Sequence, residues 1–518
     1  MPGRSPAPVP FAPLPTEAEG HRVVMGDGAR LATDVYLPPA PGRLPAVLIR
    51  TPYDKAHPDT LIPDIAARLT DAGFAVVAQD VRGKIRSEGE TVPFVAEVPD
   101  GADTCEWITR QSWSDGTVAC WGNSYYGFAA WAAAASGHPA VRAVVTRLVT
   151  TDIGGEMTHR NGVFRLGPMT EWLRSTWSGR ENITERIDWA DGDPAELLSG
   201  LPEPAREIAA LPPGSPRWAE LCFAGRDPGH GRLPGLHCAG WFDLFQTGQL
   251  ADWRRARSGP APQYLVAAAA DHYDDLFLPD SGSPDHLTDP GARGAMLDRS
   301  LSPVIDFLRG TTAPGVRWEL ASGGWRADRT WPPPGAREIR LYLTGAARAA
   351  ADADGGGLSP VPDHRPATAR WEHDPADPVP CLDRDWWRPL LDVPDERAVD
   401  QRPDVVTFTT DPWPDGLRLA GPVRLRAPMT SGQLVIALCD VAPDGRGRRI
   451  LEAPSPPGEP VAVHLGDTGY LLRPGHRLRL RIASSSFPRY PVPPRRGLQR
   501  LRTGGGSGAC LRLTVLPV

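Results

Sequence analysis

Apolar runs of about five residues, set between helical stretches with polar faces, organise the first part of the chain. Pro45-Ala46-Val47-Leu48-Ile49 and Phe74-Ala75-Val76-Val77-Ala78 flank a helical stretch from Leu61 to Ala72, and Thr117–Trp121 and Val141–Val145 flank a small-residue helix that starts at Tyr125 and stops at Ser136-Gly137-His138-Pro139. Short apolar runs alternating with helices predict a parallel sheet covered on both faces. The alternation halts after Val145 and resumes near Leu236. In the interval, roughly 148–232, Trp172, Trp177, Trp189, Trp218, Met157, Met169 and Phe164 lie among polar helical pieces. From about Val316 the pattern changes to short alternating strands such as Arg337–Leu343, separated by Gly and Pro turns, as in a β-sandwich or jelly roll. The expected organisation is therefore α/β over 1–147 and 233–312, interrupted by 148–232 and followed by a β-sandwich over 313–518.

The candidate chemistry sits where these strands end. Cys120-Trp121-Gly122-Asn123-Ser124-Tyr125-Tyr126-Gly127 places a serine between glycines at a strand-to-helix junction. A serine on such a turn projects its hydroxyl above the sheet edge beside the positive end of the helix, and the next backbone N–H, that of Tyr125, becomes an oxyanion donor. The motif departs from G-x-S-x-G, because its second glycine falls one place late. A serine nucleophile needs a histidine base and a carboxylate to orient it. Leu236–Asp243 reads as a buried strand ending in Asp243, and Gln263–His272 as the next, ending in His272. The separation, 272 − 243 = 29 residues, leaves room for one crossover helix, which Gln249–Ala256 supplies. Asp271-His272-Tyr273-Asp274-Asp275 fits no standard metal spacing, His237 reads as a core histidine, and His230 has no strand before it. Gly355-Gly356-Gly357 and Gly504-Gly505-Gly506 are loop tips, since no Lys-Ser/Thr follows either.

With these residues in place the chain resembles the cocaine esterase and Xaa-Pro dipeptidyl-peptidase group of serine hydrolases, the CocE/NonD family. Asp27-Gly28 through Tyr36-Leu37-Pro38 is similar to its opening hairpin, Arg50-Thr51-Pro52-Tyr53-Asp54-Lys55 to its R-x-P-Y-x-K segment, and Gln79-Asp80-Val81-Arg82-Gly83 with Ser87-Glu88-Gly89 to its Q-D-x-R-G…S-x-G motif. Arg402–Thr410, Gly421-Pro422-Val423, Asp440–Gly445 and Gly475 through Arg489 resemble its β-domain. The resemblance implies an α/β-hydrolase fold with a helical cap over 148–232 and a C-terminal jelly-roll-like β-sandwich domain. It implies Ser124 as nucleophile, His272 as base, Asp243 as orienting acid, and Tyr53 OH with Tyr125 N as the oxyanion hole. Phe245, two places beyond the acid, and the cap residues Trp172 and Trp177 are expected to contact substrate. Asp80 and Arg82 are expected to form a structural pair beneath the site. Two departures matter: Ala268-Ala269-Ala270-Asp271 replaces the family's Gly-Pro-Trp-x before His272, which reshapes one wall of the pocket, and Asp243 is followed by Leu244-Phe245-Gln246 with no carboxylate, which speaks against an amino-acid ester.

Composition narrows the setting. At 518 residues with 41% apolar content the chain can build several sizeable cores, and a net charge of −6 gives no basic field for nucleic acid. Seven cysteines without a C-x-x-C argue for free thiols in a reducing compartment. The absence of 18 consecutive apolar residues argues against a membrane span, and the proline-broken Met1–Pro10 against a signal peptide. The reading is a cytoplasmic serine hydrolase with no cofactor and no metal, acting on a small-molecule ester, less readily an amide or peptide, and compatible with a homodimer. An acyltransferase or cyclase would use the same triad, and a non-catalytic binding protein predicts a damaged one. All three members are intact.

Overall fold

The computed structural model describes residues 11–517 apart from 14, 16, 40, 41, 184–186, 190–192, 351, 429–431, 459, 460 and 507; the Met1–Pro10 segment lies outside the described residues. The hairpin β1 (Glu19–Val24) and β2 (Arg30–Tyr36) leads into β3 (Leu44–Thr51), α1 (Ile62–Asp71), β4 (Ala75–Asp80), α2 (Glu97–Thr109), β5 (Ser114–Asn123), α3 (Ser124–Ala135) and β6 (Val141–Arg147). The chain then leaves the sheet for a mostly helical stretch. It contains the short hairpin β7 (His159–Arg160) and β8 (Val163–Phe164), then α4 (Leu166–Trp177), α5 (Pro194–Ser199), α6 (Glu203–Ala210) and α7 (Arg217–Phe223). It returns as β9 (Gly235–Gly240), α8 (Gln246–Ala256), β10 (Gln263–Ala268), α9 (Pro290–Leu308), β11 (Val316–Leu320) and β12 (Gly324–Asp328).

The sheet runs β1-β2-β4-β3-β5-β6-β9-β10-β11-β12, parallel from β4 to β11 and antiparallel at both ends. Every residue of β4 and of β9 is buried, as continuous apolar strands sandwiched between helix layers require. This is the α/β-hydrolase arrangement, with the helical stretch inserted between β6 and β9. β11 and β12, which the sequence pattern assigned to the C-terminal sandwich, extend this sheet instead: Val316 pairs in parallel with Leu265. A short strand next to a glycine turn looks the same in sequence whichever sheet it joins.

The rest of the chain is β-rich. Nine strands between Arg337–Thr344 and Cys510–Leu516 form one continuous sheet, and its edge strands Gly447–Ser455 and Val461–Leu472 lie against each other, so the sheet is nearly closed on itself. The expected sandwich thus takes the form of one curled nine-stranded sheet, with Ala367–His373 and Gly497–Thr503 paired as a separate two-stranded sheet. It shares one apolar core with the β9–β11 side of the first sheet. There Trp241 stacks on Trp331 at 4.7 Å between ring centroids and donates through Nε1 to the Glu319 carbonyl at 2.6 Å. No helix among the described residues is long and apolar enough to cross a membrane.

Gly469 sits at this junction. A Cβ there would lie 2.6 Å from the Glu319 carbonyl oxygen and 2.8 Å from Trp241 Nε1, so space demands glycine. Gly469→Ala is expected to cost about 1–3 kcal/mol, read as a lower urea midpoint, because backbone cannot yield to the added methyl.

Candidate active site

Ser124 is the first residue of α3 and adopts φ 54°, in the left-handed region, directly after the extended Asn123 at φ −107°, ψ 143°. The chain turns sharply there because β5 and α3 cross at very short range. A Cβ on Gly122 would fall 2.0 Å from the Tyr126 carbonyl carbon, and one on Gly127 would fall 2.7 Å from Val149 Cγ1 and 2.9 Å from the Gly122 oxygen. The late second glycine is thereby explained. At Tyr126 it is the backbone that faces Gly122, while the ring packs edge-on against Tyr53 at 5.7 Å.

Asp243 and His272 lie in the loops that follow β9 and β10, and the sheet brings them to Ser124. Asp243 Oδ1 accepts from His272 Nδ1 at 2.6 Å, and His272 Nε2 reaches Ser124 Oγ at 2.9 Å. The second carboxylate oxygen of Asp243 accepts from the Phe245 N–H at 3.0 Å, which fixes its plane. The histidine ring is walled by Phe245, edge-on at 5.2 Å, and by Trp387 at 4.9 Å.

Tyr53 follows β3 and lines the same cavity as Ser124, with its hydroxyl accepting from Trp172 Nε1 at 2.8 Å. Burial pushes the phenol's pKa up, so it remains a protonated donor through neutral pH. The Tyr125 side chain is anchored elsewhere: its hydroxyl donates to Glu97 Oε1 at 3.0 Å and accepts from the Phe94 N–H at 2.8 Å. Its backbone N–H belongs to the first turn of α3, where helical carbonyl partners are lacking. Glu97 also pairs with Arg50 at 2.7 Å, which ties the segment leading to Tyr53 to the start of α3. Lys55 is buried between Asp34 at 3.2 Å and Asp80 at 3.3 Å, and burial pushes the Asp80 carboxyl up to about 6. The pair that the sequence suggested between Asp80 and Arg82 does not form. Arg82 binds Asp100 at 2.6 Å and Asp27 at 2.7 Å, because each side chain is captured by a nearer opposite charge.

The loop that carries His272 is held from the C-terminal side. Asp271 accepts from the N–H groups of Tyr273, Asp275 and Leu390, each at 3.1 Å, and burial pushes its carboxyl pKa up. Asp275 receives Arg388 Nε at 2.7 Å and Nη2 at 2.9 Å, and binds His286 Nδ1 at 3.1 Å. Sequence reasoning missed Trp387 and Arg388. The one available signal was the Trp386-Trp387 pair in a polar loop.

Above Ser124 lies a cavity of about 410 Å³, lined among others by Tyr53, Tyr126, Trp172, His272, Tyr273 and Trp387. Trp172 is where the sequence put it. Phe245 and Trp177 are not in the lining: Phe245, 1% exposed, packs behind His272, and Trp177, 2% exposed, packs on Tyr125 at 5.2 Å and Trp172 at 6.0 Å. Both are wall supports one layer back. His237 is buried and bonded to Gln263 Oε1 at 3.0 Å, with burial pushing its pKa down to about 4. His230 contacts Asp252 at 3.1 Å and Thr151 at 3.0 Å, away from Ser124.

The sequence profile of the X-Pro dipeptidyl-peptidase (S15) family matches residues 27–274, and that of the X-Pro dipeptidyl-peptidase C-terminal non-catalytic domain matches residues 310–506. The cocaine esterase of Rhodococcus sp. (strain MB1 Bresler) is 29% identical over 547 residues, covering 90% of each chain. The chain belongs to the CocE/NonD-like serine hydrolases. Two solved structures share its fold. An aminopeptidase from the marine sediment archaeon Thaumarchaeota archaeon gives a TM-score of 0.80 at 21% identity over 99% of both chains. An α-amino acid ester hydrolase gives 0.76 at 22% identity over 98% of both.

For this hydrolase the Arg388–Asp275 contact is open to test. Arg388→Met leaves a buried carboxylate without its main partner and is expected to cost about 3–5 kcal/mol in denaturant unfolding. Adding Asp275→Asn should return part of that loss, since a neutral pair carries a smaller desolvation penalty.

Proposed function

We propose that the chain hydrolyses carboxylic esters of small molecules through an acyl-enzyme on Ser124. The observation that carries this reading is the unbroken hydrogen-bond chain from Asp243 through His272 to a strained serine at a helix N-terminus, opening on a cavity. Ser124 Oγ attacks the ester carbonyl while His272 Nε2 takes its proton, and Asp243 stabilises the imidazolium and holds its tautomer. The carbonyl oxygen becomes an oxyanion and accepts from the Tyr125 N–H and the Tyr53 O–H. Because the Tyr53 oxygen already accepts from Trp172, the phenol's single proton is left for the oxyanion. His272 then protonates the departing alkoxide, and water, deprotonated by the same ring, releases the acid. The esterase relative supports an ester substrate, and Leu244-Phe245-Gln246 after Asp243 supplies no carboxylate for an α-ammonium group.

Ser124→Ala is expected to abolish fluorophosphonate labelling and lower kcat on a p-nitrophenyl ester about 10³-fold or more, with the unfolding transition retained. Labelling that persists in the alanine variant would overturn the assignment.

Tyr53→Phe keeps the ring packing and removes one donor that strengthens as charge develops. The expected loss is about 10²- to 10³-fold in kcat with KM little changed. A near-native kcat with a lowered melting temperature would reduce Tyr53 to a packing role.

A further inference from the structure

The cavity over Ser124 has two unlike walls. One carries Glu171, Trp172, Ser175 and Asp385, rich in groups that form hydrogen bonds. The other is built by two helices. Leu61, with φ 55°, turns the chain into α1, and Ile65 follows one turn later; Met296, Leu297 and Leu301 lie on one face of α9. With Tyr126 these side chains belong to a single apolar cluster, are only 2–8% exposed, and all line the cavity. Tyr53 packs against both this cluster and the one that holds Trp172, so the two walls meet at Ser124. Arg147 also borders the cavity, but its guanidinium is paired with Asp274 at 2.6 Å and donates to the Ser300 carbonyl at 3.1 Å.

We infer that the α1–α9 wall is the subsite for an unbranched aliphatic chain of the ester, of short to medium length. This rests on Ser124 being the nucleophile. His57 also lines this side of the cavity, set against Asp59 at 3.7 Å, so its two basic groups each face an aspartate and give a carboxylate or phosphate little compensation for lost hydration, whereas a methylene chain gains from burial. A volume of about 410 Å³ is at the small end for ligand cavities, which suits a short to medium chain. The chain can belong to the acid or to the alcohol, and the two are separable by experiment.

Two substrate series test this: p-nitrophenyl esters from acetate to octanoate vary the acyl side, and acetates of ethanol to octanol vary the alcohol. In one series kcat/KM is expected to climb about fourfold per added methylene until the subsite is full. Leu297→Trp, which fills it, should shift that optimum to shorter chains, and Ile65→Ala, which enlarges it, to longer ones. Flat or falling values in both series, in protein whose Ser124 still takes a fluorophosphonate, overturn the subsite and leave the esterase reading standing. So does a chain-length optimum that neither variant moves. Loss of labelling in the unaltered protein instead sinks the esterase reading itself.

Discussion

Everything at this site depends on how closely β5 and α3 cross. The crossing forces Ser124 into a left-handed conformation, φ 54°, which for a non-glycine residue costs on the order of 1–3 kcal/mol and persists only where the surroundings impose it. Here they do. Gly122 and Gly127 admit no side chain, and the Arg50–Glu97–Tyr125 links clamp the first turn of α3 to the strand that delivers Tyr53. A relaxed turn would swing the Ser124 hydroxyl off His272 and move the Tyr125 N–H, so one steric constraint sets the groups to which the proposed mechanism gives the roles of nucleophile and oxyanion donor.

The second anchor is remote in sequence. His272 lies on a loop whose buried aspartates are satisfied by Arg388 and the Leu390 N–H, and Trp387 packs at a tilt against its ring. All three belong to the part of the chain that matches a domain described as non-catalytic. Its contribution is positional: without it Asp275 would lose its guanidinium partner and the His272 ring one of its walls. The shared core of Trp241, Trp331 and the curled sheet makes this docking a matter of folding, so the sheet and the β-rich part should behave as one cooperative unit.

What the sequence could show was local. Ser124, Asp243 and His272 each end or follow a short apolar run, and a parallel sheet gathers such positions at one edge, so the meeting of these three side chains was legible from strand order. Trp172 was placed in the cavity lining, but Phe245 and Trp177 were not distinguishable from it. All three are aromatic and buried, and which of two stacked layers faces the cavity is decided by contacts between distant segments. The Asp80–Arg82 pairing failed for the same reason, since a charge two residues away competes poorly with Lys55, delivered by the loop after β3, or Asp100, delivered by α2. β11 and β12 were assigned to the wrong sheet because strand patterning carries burial and not partners. Trp387 and Arg388 lie more than a hundred residues from His272, and no periodicity connects them.

Trp172 has two duties that cannot be separated. It lines the cavity, and its indole N–H fixes the lone pair of the Tyr53 hydroxyl, which leaves the phenol one direction in which to donate. On the proposed mechanism, a substrate that displaces the indole would also loosen the oxyanion donor. A fit on this wall would, on the same mechanism, be felt in the transition state as well as in binding, whereas the aliphatic wall is an apolar cluster against which Tyr53 packs. The two walls would then act on different steps of the proposed mechanism, one on how strongly the developing charge is held and the other on which substrate binds.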